Sequence, residues 1–121
     1  MDKNGCSKEL LDRTKYIGGT PIDEGDGYWS LIGKSPTLTS VATSMLGMAS
    51  GFSGEVAYVQ LPKGHEDIGK DEGSLDPPVN GGLTYSDGPV FGWDYGHAYN
   101  SGTPKDDIKG AIEYFKSRDK R

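Results

Sequence analysis

The sequence predicts a single α+β domain over residues 1–121: a small antiparallel β-sheet, a C-terminal helix packed on it, and one or two shorter helices. Three observations carry that expectation. Short apolar or alternating runs at 28–32, 55–61, 82–86 and 90–95 are bounded by Gly, Pro and Asp, as strands joined by turns are. The last two runs flank Asp87-Gly88-Pro89, which reads as a hairpin turn. Thr103-Pro104, followed by Asp106 and Asp107, opens the apolar stripe Ile108, Ala111, Ile112 and Phe115. That is an N-cap, a proline at the first helical position and one buried helix face.

The elements follow in order. Ser7 caps a short helix within 5–16, with Leu10 and Leu11 facing inward, and Gly18-Gly19-Thr20-Pro21 ends it. Asp23-Glu24-Gly25-Asp26-Gly27 is turn chemistry, because these residues tolerate left-handed backbone. Tyr28 to Ile32 is a short strand. Leu38, Val41, Ala42, Met45, Leu46 and Ala49 then fall on one face of an amphipathic helix, with Gly51 and Gly54 near its end. Glu55 to Leu61 alternates: Val56, Tyr58 and Gln60 on one side, Ala57, Val59 and Leu61 on the other. Pro62 stops it. Residues 62–81 are charge, Gly and Pro, and Asp76-Pro77-Pro78 excludes helix or central strand. A connection this long inside a domain is often functional. The last helix spans 104–118, with Lys116, Arg118, Lys120 and Arg121 suiting its negative end.

Composition narrows the function. The 19 glycines have no collagen period and imply many tight turns. Net charge is −5, which argues against direct nucleic-acid binding, since that needs a phosphate-neutralising face. An acidic chain favours basic partners, including the nucleic-acid channels of other proteins. No apolar run approaches the ~18–20 residues that cross a bilayer. The start, Met1-Asp2-Lys3-Asn4, carries no apolar signal region. The single cysteine, Cys6, allows no internal disulfide. The expectation is a cytoplasmic protein without a membrane anchor.

Two histidines stand just past strand ends. His65 lies in Pro62-Lys63-Gly64-His65-Glu66-Asp67, and His97 lies three residues after Asp94. Imidazole and carboxylate suit Zn2+ and related ions, so His65, Asp94 and His97 form a candidate metal set. Asp67, Asp71, Cys6 or Asn80 is available as a fourth ligand, or water fills the position in a catalytic site. The plainer alternative is two histidines that only order their loops, and spacing alone favours it. The aromatics Tyr85, Phe91, Trp93, Tyr95 and Tyr99, with Tyr28 and Trp29, form either a core or a ring-stacking pocket; core is the commoner outcome. No phosphate loop, dinucleotide fingerprint or nucleophile elbow is present in the sequence. The carboxylates at 66, 67, 71, 72 and 76 read as a solvated acidic loop, or as a mimic of a phosphate strand.

The stretch from Val59 to Asn100 resembles a family of small bacteriophage proteins. The residues that carry the likeness are Leu61-Pro62-Lys63-Gly64-His65, Gly69-Lys70-Asp71, Asn80-Gly81-Gly82-Leu83-Thr84-Tyr85 and Gly92-Trp93-Asp94-Tyr95-Gly96-His97. The family pattern has three histidines and an aspartate, a cation-binding set. His65, Asp94 and His97 match it, while Asn80 replaces a histidine and Asn100 an aspartate. The resemblance implies a metal-binding accessory protein of phage, working in the cytoplasm of the host bacterium. By analogy of context and size it points to inhibition of host defence, as anti-CRISPR proteins do. The expected partner is a host protein with a basic surface, and the pocket or interface residues are Asp67, Asp71, Asn80, Tyr85, Trp93 and Tyr95. One alternative is a metal-dependent hydrolase of a nucleotide or phosphoester, with Glu66 or Asp67 as general base and Trp93 and Tyr95 holding the substrate. Another is a nucleotide-binding sponge.

Overall fold

The computed structural model describes residues 5–34, 55–95 and 103–119. They form an α+β fold built on one five-stranded antiparallel sheet, in the order β1-β2-β3-β5-β4. The strands are β1 (Ile22–Gly25), β2 (Tyr28–Lys34), β3 (Glu55–Gln60), β4 (Tyr85–Asp87) and β5 (Val90–Asp94). Helix α1 (Lys8–Ile17) covers one face of the sheet and α2 (Pro104–Ser117) covers the other. No helix among the described residues is long and apolar enough to cross a membrane.

Successive strand side chains point to opposite faces, so two helices make two cores. Under α2 lie Tyr28 of β2, Ala57 and Val59 of β3, and Phe91 and Trp93 of β5, packed on Ile108, Ala111, Ile112 and Phe115. Against α1 lie Trp29, Leu31, Val56, Tyr58 and Val90, packed on Leu10 and Ile17. The central strands are apolar on both sides because both sides are covered.

Local chemistry fixes the helix ends. The Ser7 hydroxyl accepts the Leu10 N–H at 3.1 Å, and α1 stops at Gly18, whose φ of 77° suits glycine. The Thr103 hydroxyl accepts the Asp106 N–H at 3.2 Å, and Pro104 takes the first turn of α2.

The structure differs from expectation in four places. Leu11 is only half-buried; the inward residues of α1 are Leu10 and Ile17, seven apart and so on one stripe. Residues 23–27 are not all turn, because Ile22–Gly25 is strand and only Asp26-Gly27 turns the chain. Both turn residues have positive φ, 56° and 88°, the two-residue hairpin geometry that Asp-Gly favours. Strand β4 is shorter than expected and begins at Tyr85, although the Thr84 N–H still bonds the Gly92 carbonyl at 2.9 Å. Strand β2 runs on to Lys34. The expected helix over Leu38–Ala49 lies outside the described residues, as do His97, Tyr99 and Asn100.

Candidate functional site

The segment from Pro62 to Gly81, expected as an irregular loop, and the residues that continue it to Thr84 are tied down at intervals. The Leu61 and Gly69 N–H groups bond the Pro89 and Gly88 carbonyls, at 2.9 and 3.0 Å. Glu72, in a short 3-10 turn (Glu72–Ser74), accepts the Ser86 hydroxyl at 2.5 Å, which holds its carboxyl below the ordinary range. The Asp76 N–H bonds the Tyr114 hydroxyl of α2 at 3.0 Å. The loop is thereby strapped to both the β4–β5 hairpin and α2.

His65 is buried beneath the end of α2, between Tyr28 and Phe115, each meeting its ring edge-on. Its Nε2 lies 2.8 Å from the Phe115 carbonyl oxygen and must donate, because a carbonyl only accepts. Its Nδ1 accepts the Asp67 N–H at 3.0 Å. The ring is therefore a neutral Nε2–H tautomer with both nitrogens occupied, and it offers no lone pair to a metal in this arrangement. His65→Ala is expected to cost about 1–3 kcal/mol, because it strands the Asp67 N–H in the interior. Urea unfolding with zinc and with chelator checks this: the loss should be equal in both. A loss confined to the zinc-containing sample would return the metal to His65.

Asp67 is the hub of the same region. Its side chain is fully buried, and its two oxygens take Arg118 Nε at 2.7 Å and Arg118 Nη2 at 3.0 Å. Lys70 Nζ adds a contact of 2.8 Å. Hydrogen bonding to the Arg118 guanidinium, with help from Lys70, outweighs the opposing effect of burial and pulls the Asp67 carboxyl from 3.8 to about 2. The bidentate pair links the loop to the residue that caps the C-terminus of α2. A buried carboxylate so fully engaged is a fastening rather than a general base.

A third polar cluster sits at the other end of α2. The Tyr95 hydroxyl donates to the Asp107 carboxylate and accepts Trp93 Nε1–H at 3.0 Å. Burial, then the bond to Asp107, raises the Tyr95 phenol above its ordinary value. The Asn80 N–H reaches Asp107 at 3.1 Å, and the Asn80 amide donates to the Asp94 carbonyl at 3.0 Å. This chain of bonds satisfies the polar edges of aromatics that are otherwise in the core.

The candidate residues thus separate. Trp93 and Tyr95 are core, at 0% and 2% exposure. Tyr85 is on the opposite face, beside Tyr58, because it pairs with Gly92 rather than with Trp93. Asp71 is exposed at the start of the 3-10 turn. Asp94 follows Trp93 and so points to the α1 face, within electrostatic reach of Tyr58, while His65 lies under α2. The sheet therefore separates two of the three expected metal ligands, and the third, His97, lies outside the described residues. Among the described residues no three His, Cys, Asp or Glu side chains gather as a metal-holding group. The group that sequence reasoning missed is Arg13 with Tyr16, Tyr58 and Tyr85, four residues on three elements joined by the fold.

No family model, curated protein or solved structure matches this chain.

Proposed function

We propose that the protein acts by binding: an acidic surface made by the strapped loop and the β4–β5 hairpin docks on a basic surface of a protein partner. One observation carries this reading. Residues 62–89 hold six carboxylates against two lysines, a net of −4 in a chain whose total is −5. Asp67 is neutralised inside, and the other five, Glu66, Asp71, Glu72, Asp76 and Asp87, remain at least partly open to solvent. The straps to Ser86, Gly88 and Tyr114 hold those charges in place before any partner arrives, which lowers the entropy lost on docking.

The bacteriophage resemblance supplies the setting: a host protein in the bacterial cytoplasm, with inhibition of a defence system as the outcome. The buried histidine and aspartate support binding over hydrolysis, since both spend their polar atoms on the fold. Zinc remains a proposal that requires His97 and Asp94 to find a ligand other than His65.

The test is capture from bacterial lysate with the native chain and with a charge-reversed variant, Glu66→Lys, Asp71→Lys, Asp76→Lys and Asp87→Lys. A partner held at ~50 mM salt by the native chain, released near ~500 mM and absent from the variant is the expected result. A partner retained equally by both chains, or indifferent to salt, would overturn the reading.

A further inference from the structure

We infer that Arg13, held by Tyr16, Tyr58 and Tyr85, is a preformed anchor for a single carboxylate presented by a protein partner. The inference adjoins the acidic surface at strand β4, which carries both Tyr85 and Asp87, but it does not rest on that reading. The Arg13 guanidinium carbon lies 4.7 Å from the Tyr16 ring centroid, 5.0 Å from Tyr85 and 5.6 Å from Tyr58. Tyr58 and Tyr85 meet edge-to-face, with centroids 5.2 Å apart. Gly92 makes the arrangement fit: a Cβ there would lie nearer than 3.0 Å to the Tyr58 ring. A strand residue without a side chain lets the ring lie over the backbone, and the ring in turn supports the guanidinium.

The charge is held but not paired. Arg13 makes no hydrogen bond or ion pair with any described residue, and none of its nitrogens is buried. Its N–H donors therefore face water. The ordinary partner would be Glu9, one turn earlier at the i, i+4 spacing. Glu9 instead leans toward the β4–β5 turn, with its carboxylate 3.4 Å from where a Cβ on Gly88 would stand. Asp12 lies toward Lys15, at 4.0 Å. In a chain of net charge −5, this arginine rests on aromatic faces while acids stand close by.

Beside it is a second donor. Burial pushes the Tyr58 phenol up to about 12 against the opposing pull of Arg13, so it keeps its proton at neutral pH. Its hydroxyl bonds no described residue and is not buried from water. A guanidinium fork and a phenol match a carboxylate, which takes two N–H bonds side by side. The cage does not take a cation, because Arg13 fills it. A polyanion is disfavoured by Asp94, which acts on Tyr58, and by Asp87, 3.5 Å from the Tyr85 hydroxyl. A lone Asp or Glu side chain in basic surroundings meets both conditions. Arg and Tyr are also the residue types that dominate binding energy at protein interfaces, and Tyr16 is 43% exposed.

The chain has three arginines, so its arginine Nε–Hε spectrum is simple to read. The probe is sodium acetate titrated into the free, full chain, with sodium chloride as control and arginine amide as reference. The expected result is an Arg13 shift whose initial slope is about two- to tenfold that of arginine amide, the gain from immobilising one side chain. Arg118, locked to Asp67, should barely move. Tyr16→Ala and Tyr85→Ala should each return the slope to the reference, with Arg13 still present. Three outcomes would overturn the assignment: a slope equal to arginine amide in the native chain, a slope unchanged in both tyrosine variants, or inorganic phosphate outcompeting acetate by more than its charge predicts.

Discussion

Trp93→Ala is expected to lower the unfolding free energy by about 3–5 kcal/mol, the range for removing a large aromatic from a packed interior. For a chain of this length that is a fall of roughly 10–20 °C in Tm. Trp93 is fully buried on the interior strand β5, in the cluster with Tyr28, Phe91 and Phe115. Its indole N–H also supports Tyr95, whose hydroxyl in turn serves Asp107 on α2. The substitution therefore opens a cavity and loosens a polar chain at one position. Urea unfolding followed by circular dichroism measures it. A Trp93→Ala protein of nearly native stability would mean that the indole lines a pocket, and the nucleotide-binding readings would regain their support.

Asp67→Asn should cost about 2–4 kcal/mol at neutral pH. Breaking a buried ion pair typically costs ~3–5 kcal/mol. The lower range applies because Arg118 and Lys70 are 33% and 41% exposed at the side chain and can turn to water. The same group sets a pH dependence. A carboxyl whose folded value, about 2, lies below its ordinary 3.8 binds protons more readily in the unfolded chain. Its contribution, about 2 kcal/mol, is complete above pH 4 and is lost as pH falls through 2. The native protein should weaken across that window, and Asp67→Asn should weaken distinctly less. Parallel slopes in the two proteins would show that Asp67 is not the group responsible.

What the sequence made legible was local. Helix α2 announces itself within four residues, Thr103 to Asp106, and β3 within six by alternation. Strand β1 does not, because all four of its residues are exposed at the sheet edge and carry no apolar alternation. Only the Asp26-Gly27 pair marked it, and that pair reads equally as loop. The site was harder still. His65 is conspicuous by residue type, but its role depends on Phe115, 50 positions away, and that of Asp67 on Arg118, 51 away. The aromatics around β5 looked like one group in sequence. Strand alternation and the pairing of Tyr85 with Gly92 put them on two faces. Arg13 meets Tyr58 and Tyr85 only after three elements are assembled, and no spacing encodes that.

The division of the interior by the sheet has a consequence for how damage accumulates. Leu10 and Phe115 belong to clusters that share no residue, one beneath each helix. Truncating both should cost the sum of the separate losses to within about 0.5 kcal/mol, since neither vacancy is a neighbour of the other. Phe91 and Phe115 stack at 5.4 Å on the same side, and their double truncation should depart from the sum. Damage on the two sides therefore accumulates without compounding, although both losses are drawn from the one unfolding free energy of the fold.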